Sequence, residues 1–151
     1  MVVTRIFLSS AEELPFPDGE FDVVFCDHGA MSFSSTEKTL KEVARVLKTG
    51  GLFAFNMQSP FHEMCFNPET RKVDDRLHGD YFALGRHVDE GTVYFQHGFG
   101  AWIELFLGAG FRVAGLTELR PRAGSTSTYD YVSYEWARRV PAENIWKLVK
   151  V

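Results

Sequence analysis

Residues 21–57 read FDVVFCDHGAMSFSSTEKTLKEVARVLKTGGLFAFNM, and their pattern decides the fold. Phe21-Asp22-Val23-Val24-Phe25-Cys26 is an apolar run of strand length without alternation. That is the pattern of a strand buried on both faces of a parallel sheet. Ser34 and Glu37 stand at capping-box spacing, so a helix should begin there. Leu40, Val43, Ala44 and Leu47 recur at i, i+3, i+4 and i+7 and mark one buried helix face. Lys48 falls in the last turn, and Gly50-Gly51 supplies a left-handed cap. Leu52–Met57 is a second buried strand. Strand, helix and strand within so short a span predict a parallel βαβ unit.

Outward from this unit, Val2–Leu8 is β-branched and apolar and predicts a short amino-terminal strand. Ser9–Glu20 is a loop rich in turn formers. Residues 58–97 are rich in His, Asp, Arg and aromatics with weak periodicity, and read as an insertion of loops and short helical pieces, a lid. Within it Val93-Tyr94-Phe95 suggests a short strand. Trp102, Leu105, Phe106 and Ala109 share one apolar helix face, stopped by Gly108 and Gly110. Phe111–Glu118 reads as a strand, Gly124–Thr128 as a loop and Tyr129–Arg138 as another strand. Pro141 should open a final short helix ending near Val149. Residues 1–151 carry no linker or repeat and read as a single domain.

Composition agrees with one core: 151 residues, 45% hydrophobic, with 14 phenylalanines. Net charge is −4, and the densest basic clusters, Arg120-Pro121-Arg122 and Arg138-Arg139, are short. No basic stripe for nucleic acid is visible. No apolar stretch reaches the ~18 residues of a membrane span, and Val2–Leu8 is too short for a signal peptide. Two cysteines without a CxxC spacing indicate a reducing, cytoplasmic setting. Cys26, at a strand end, reads as small core filler. His62-x-x-Cys65 offers two ligands without a third or fourth, so no metal site is expected.

Three blocks, in order, carry a resemblance. They are Ala11-Glu12-Glu13-Leu14-Pro15-Phe16-Pro17-Asp18-Gly19-Glu20-Phe21-Asp22-Val23-Val24, Val43-Ala44-Arg45-Val46-Leu47-Lys48-Thr49-Gly50-Gly51, and Phe106-Leu107-Gly108-Ala109-Gly110-Phe111-Arg112-Val113. Together they resemble class I S-adenosylmethionine-dependent methyltransferases, and Trp136–Glu143 looks like the ending of a bacterial small-molecule subgroup. The resemblance implies an α/β, truncated Rossmann-like sheet in the order 4-5-7-6, plus the short amino-terminal strand, with strand seven antiparallel. Strand three would be Val2–Leu8, four Phe21–Cys26, five Leu52–Met57, six Phe111–Glu118 and seven Tyr129–Arg138. The family's glycine-rich turn after strand one and the acidic residue ending strand two have no counterpart in these residues. Gly98-Phe99-Gly100 and Gly108-Ala109-Gly110 follow no first strand and do not replace them.

The resemblance also implies a site. Ser10 stands where the family often has an adenine-binding Asp, beside Ala11. Asp27, His28 and Gly29 fall at the carboxyl end of strand four, where open α/β sheets bind ligands. Asp27 and Gly29 would meet the cofactor, and His28 would orient it or act as a general base. Tyr81, Phe82 and His97 would shape the acceptor pocket within residues 58–97. The expected activity is methyl transfer from S-adenosylmethionine to a small molecule, given a partner or second copy that completes the cofactor site. The alternative is a non-catalytic module. The chain alone should bind S-adenosylmethionine weakly or not at all. An uncovered strand four predicts a homodimer through residues 2–8 or the Phe21–Cys26 edge.

Overall fold

A computed structural model describes residues 5–151. Strand β1 (Phe21–Asp27) is followed by a single helical turn α1 (Ala30–Phe33), helix α2 (Thr36–Val46) and the long strand β2 (Leu47–Gln58). β1 and β2 are adjacent and parallel, with Val23 opposite Leu52 and Asp27 opposite Asn56. Helix α4 (Phe99–Gly108) leads into strand β7 (Phe111–Glu118), and the chain closes on strand β8 (Glu143–Lys150). The sheet order is β1-β2-β8-β7, with β8 antiparallel to both neighbours. This is the 4-5-7-6 order expected from the sequence.

Between β2 and α4 lie α3 (Pro60–Cys65), the two-residue strands β3 (Phe66–Asn67) and β4 (Lys72–Val73), and a 3-10 turn at Tyr81–Ala83. A hairpin of β5 (Arg86–Asp89) and β6 (Thr92–Phe95) follows. Between β7 and β8 the chain forms only the short helix α5 (Tyr134–Ala137).

One face of the sheet is packed and the other is open. Phe53, Phe55 and Met57 of β2 alternate inward and meet Trp146 and Leu148 of β8, Leu40 and Val43 of α2, and Trp102 and Phe106 of α4. Fully burying each of these large side chains stabilises by about 1.5–3 kcal/mol. Phe55 sits 5.6 Å from Trp102 and 5.9 Å from Phe106, in the tilted and edge-on geometries aromatic rings prefer. On the opposite face Val23 is 54% and Phe25 78% exposed. β1 is therefore not buried on both sides, because among the described residues no helix covers that face.

Several local expectations are corrected. Val2, Val3 and Thr4 of the expected first strand lie outside the described residues, and Arg5–Leu8 form no strand and are exposed. Helix α2 does start at the expected place, but Ser34 and Glu37 make no capping box. Ser34 donates its hydroxyl proton to the Ala30 carbonyl, and the cap is Ser35. The Ser35 amide is satisfied from the preceding loop, by Glu12 Oε1 at 2.8 Å. Lys38 closes the arrangement on Glu12 Oε2 at 3.1 Å.

The same helix ends at Val46, before the glycines, because Leu47 already pairs with Phe21. Gly50, at φ 80°, serves the register shift that follows rather than a helix cap. Gly51 is needed for close approach: a Cβ there would stand 2.8 Å from the Lys48 carbonyl oxygen.

The last two elements differ most. Tyr129–Arg138 is not a strand, because Ser133 caps α5 by accepting the Trp136 amide hydrogen and Trp136 is buried against Cys65 and Val73. Pro141–Val149 is not a helix. Asn144, Trp146 and Leu148 are buried while Ile145, Lys147 and Val149 are not, and that alternation puts β8, rather than Tyr129–Arg138, in the antiparallel place expected for strand seven.

Candidate functional site

The carboxyl ends of β1 and β2 converge with the start of β8. The His28 amide donates to the Asn56 carbonyl at 3.1 Å, and the Asn56 side-chain amide donates to Asp27 Oδ1 at 3.2 Å. His28 takes a left-handed backbone, φ 46°. That conformation is uncommon outside glycine, although His is among the residues that tolerate it best. It turns the chain sharply off β1 and frees Gly29 to lead into α1.

Ser59 then ties β2 to the far end of the chain. Its amide donates to the Ala142 carbonyl at 2.8 Å, its hydroxyl donates to the Pro141 carbonyl, and its Oγ accepts the His62 amide hydrogen at 3.1 Å as the α3 cap. Glu143 is thereby held opposite Gln58 in the β2–β8 ladder. His28 Nε2 lies 3.3 Å from Glu143 Oε2, each side chain a little over one third exposed.

Glu143 also lines a cavity of about 690 Å³, bounded by Gln58, His62, the segment after β7 and residues 125–134. Gln58, His62 and Tyr131 form the wall it shares with a smaller hollow of about 210 Å³ under the β5–β6 hairpin. His62 is 6% exposed, and both of its ring nitrogens lack a hydrogen-bond partner among the described residues. Burial, and secondarily the nearby His28, push its imidazole down to about 4, so it is neutral near pH 7. Burial, then Glu143 and Tyr129, push the Tyr131 phenol up, so it stays protonated.

The sequence-derived residues separate into groups. Asp27, His28 and Gly29 lie at this end of the sheet. Ser10 and Ala11 belong to the turn closed by the Ser10–Glu13 bridge, and Glu12 fastens that turn to Ser35 near the α1–α2 junction, on the same side. Tyr81 and Phe82 do not line the cavity. The Tyr81 hydroxyl oxygen accepts the Phe99 amide hydrogen at 2.6 Å, with its ring against Gly98, and Phe82 is 94% exposed. His97 is also elsewhere. It bonds to Thr36 Oγ1 at 3.0 Å, stands edge-on to Trp102 and lines a shallow hollow between α2 and α4.

Sequence reasoning missed Glu143 and Tyr131, and took His62 only as half of a metal pair. The residue type gave one usable signal: a lone His next to a Ser-Pro helix start.

Comparison with known proteins follows the geometry. Residues 2–55 match a family model described as Methyltransferase domain. YcgJ of Bacillus subtilis, an uncharacterized methyltransferase, is 52% identical over 49 residues, covering 32% of this chain and 19% of that protein. The ubiquinone/menaquinone biosynthesis C-methyltransferase UbiE of Chromobacterium violaceum is 39% identical over 69 residues, covering 41% of this chain and 28% of that protein. The chain thus matches less than a third of the length of these curated relatives. Among solved structures, an S-adenosylmethionine dependent methyltransferase from Mesorhizobium loti superposes with a TM-score of 0.67 at 18% identity, over 94% of this chain and 67% of that one. The segment similar to the methyltransferase domain family, residues 2–55, holds β1, α2 and most of β2, and through β8 the chain shares the fold of solved S-adenosylmethionine-dependent methyltransferases.

Proposed function

We propose that the chain takes part in methyl transfer from S-adenosylmethionine to a small molecule, at the carboxyl ends of β1 and β2. The observation that carries this reading is the His28–Glu143 pair, set at that end of the sheet with Glu143 on a cavity wall. Ligands of open α/β sheets bind at that end.

The residues present fit one part of the cofactor. The Ser10 Oγ accepts the Glu12 amide hydrogen, which leaves the hydroxyl proton, on an exposed residue, to donate. Ser10, Ala11, Asp27 and Gly29 would hold the adenosine end. When bound, the cofactor supplies a methyl group on a sulfonium. Within these 151 residues nothing offers the glycine-rich turn that approaches the rest of the cofactor. That contribution comes from a preceding segment, a partner chain or a second copy.

The protein's share of the chemistry is alignment of acceptor and methyl group, from which most of the rate of a direct displacement derives. The acceptor sheds a proton as it is methylated. Glu143 reaches the cavity and His28 stands behind it, so the pair receives that proton.

The test is a titration with S-adenosylhomocysteine followed by amide resonances. Expected are shifts at Ser10, Ala11, Asp27 and Gly29, with affinity weaker than about 10 μM, roughly −7 kcal/mol. Shifts confined to the amino ends of β1 and β2 would refute the site.

A second copy would also cover the open face. β1 is an edge strand with Val23 and Phe25 exposed, and Ile6 and Leu8 are exposed in the segment that precedes it. We propose a homodimer through this region.

A further inference from the structure

We propose that the acceptor carries an oxyanion, a carboxylate or a phosphate, held by Arg120 and Arg138 beyond the β7 edge of the sheet. As a substrate class this rests on the methyl-transfer reading, while the anion site stands by itself.

Arg120 follows β7 by two residues and lines two adjoining hollows. One is the cavity of about 690 Å³ that Glu143 also lines, and the other, of about 490 Å³, is bounded by Arg120, Arg138, Arg139 and Glu118 among others. The two arginines lock each other. Arg120 Nε donates to the Arg138 carbonyl at 2.9 Å, and Arg138 Nη1 donates to the Pro121 carbonyl at 2.8 Å. Each thus spends one nitrogen on the backbone. The two Nη atoms of Arg120, and Nε and Nη2 of Arg138, have no partner among the described residues. Arg138 is half-buried and Arg120 exposed, so the first is anchored and the second reachable. A guanidinium offers its donors as a rigid fork that matches carboxylate and phosphate oxygens.

The charge balance selects an anion. Arg45, Arg71 and Arg139 each reach a carboxylate, at 2.8, 2.7 and 2.6 Å. Arg120 and Arg138 reach none within ion-pair distance among the described residues, although the chain carries 20 acidic residues and a net charge of −4. Two guanidiniums locked side by side repel each other, and a bound oxyanion relieves that repulsion. The nearby loop adds a donor. Ser125 is tied to the Arg122 carbonyl by its amide at 3.1 Å and its hydroxyl at 2.7 Å, and the loop it starts lines the cavity through Ser127. The Ser127 Oγ accepts the Tyr129 amide hydrogen at 3.0 Å and keeps its own proton to give.

Sheet order sets the direction of the ligand. β1 and β7 are the two edges of the four-stranded sheet, about 14 Å apart at ~4.8 Å per strand. Glu143 reaches from β8 toward the β1 side, where it meets His28, and Arg120 leaves the sheet beyond β7. The cavity lining therefore has a carboxylate toward one side and a guanidinium toward the other. Leu119, Val132 and Tyr131 line it with them. An acceptor held by its oxyanion at Arg120 lays its apolar body along these side chains and presents its reacting group to Glu143. The volume of about 690 Å³ lies within the range of about 300–1,000 Å³ usual for small-molecule sites.

The experiment titrates the chain at pH 7 and low salt with 2-naphthoate, 2-naphthyl phosphate, 2-naphthalenemethanol and 2-naphthylmethylamine, followed by calorimetry and amide resonances. At least one of the two anions should bind tenfold or more tighter than the alcohol and the amine, with shifts at Arg120, Arg138 and Val132. The tighter of the two anions names the oxyanion. The preference should fall at least threefold in 0.5 M salt. Arg120→Gln changes an exposed side chain, and should bring anion and alcohol within about twofold of each other while the alcohol's affinity stays the same. Arg122→Gln removes an equal charge from a residue that lines neither hollow, and should leave the preference intact.

Anions that bind no tighter than the alcohol, a preference that survives Arg120→Gln or is lost equally in Arg122→Gln, or no binding of any probe would each overturn the proposal. The S-adenosylhomocysteine titration reads different residues. Loss of the cofactor shifts alone would remove the methyl-transfer reading and leave the anion site, and loss of the anion preference alone would do the reverse.

Discussion

Glu42→Gln tests how the loop carrying Ser10 and Ala11 is held. Arg45 spends its guanidinium on that loop: Nη1 donates to the Phe16 carbonyl and Asp18 Oδ1, each at 2.8 Å, and Nη2 to the Leu14 carbonyl at 3.0 Å. Glu42 holds Arg45 in place through two contacts of 2.8 Å and accepts the Leu14 amide hydrogen at 2.8 Å. Arg45, and then the Leu14 amide, keep the Glu42 carboxyl down at about 2, against an ordinary value of 4.5. A displacement of that size has a ceiling of about 3 kcal/mol. Water around the exposed Asp18 and the partly exposed Arg45 screens the network and leaves ~1–2 kcal/mol.

The folded-state value is depressed, so this stability is fully present above about pH 4.5 and is lost as pH falls toward 2. Glu42→Gln should lower the melting temperature at pH 7 by ~2–8 °C, at about 2–4 °C per kcal/mol for a chain of this size. It should also flatten the acid side of the stability curve, so that parent and variant converge near pH 2. Urea melts at pH 7, 4 and 2.5 measure this. A difference that stays constant across pH, or none at pH 7, would refute the argument that the carboxylate anchors the loop.

Two further predictions follow from burial. Because Phe25 is largely exposed in the single chain, Phe25→Glu should leave the melting temperature within about 2 °C yet convert a dimer into a 17.2 kDa monomer by light scattering. The interface should exceed ~1,000 Å², and a parent chain that is already monomeric at micromolar concentration would dispose of it. His62 should stay neutral until near pH 4. Its folded value lies below the ordinary 6.5, so its contribution destabilises progressively as pH falls from about 6.5 toward 4. An imidazole resonance of His62 titrating near 6.5 would contradict its burial.

The sheet was legible because its central unit is local. The segment from Phe21 to Met57 carries strand length, helical period and glycine spacing in one run, and it folds as a parallel pair with the helix between. Errors entered where a tertiary partner overrode a local signal. The Ser34–Glu37 spacing is a good start signal, but the cap is Ser35, and Glu12 arrives from an earlier loop to accept its amide hydrogen. Gly50-Gly51 resembles a helix end, but Leu47 is already claimed by Phe21. β1 has the composition of a strand covered twice, and composition reports what a strand can tolerate, not what covers it. The alternation Asn144, Trp146, Leu148 was present in the sequence and argued for β8. Pro141 suggested a helix start, and the stronger period-two signal went unused.

The site was legible only where it lies on the sheet. Asp27, His28 and Gly29 end a recognisable strand, so their position follows from the strand itself. Glu143 and His62 reach the same region through Ser59, whose hydroxyl and amide join α3 to the Pro141–Ala142 backbone. A contact made by one serine to main-chain carbonyls leaves no side-chain pattern to read, because any residue supplies a carbonyl. Tyr81, Phe82 and His97 were chosen for chemistry without such a constraint, and packing absorbed two of them. Tyr81 holds the start of α4 and His97 braces α2, while His62, whose ring nitrogens have no hydrogen-bond partner among the described residues, is among the residues lining the cavity. Aromatic and imidazole side chains serve equally as core and as ligand contacts, and what distinguishes the two uses is whether their polar atoms are already satisfied.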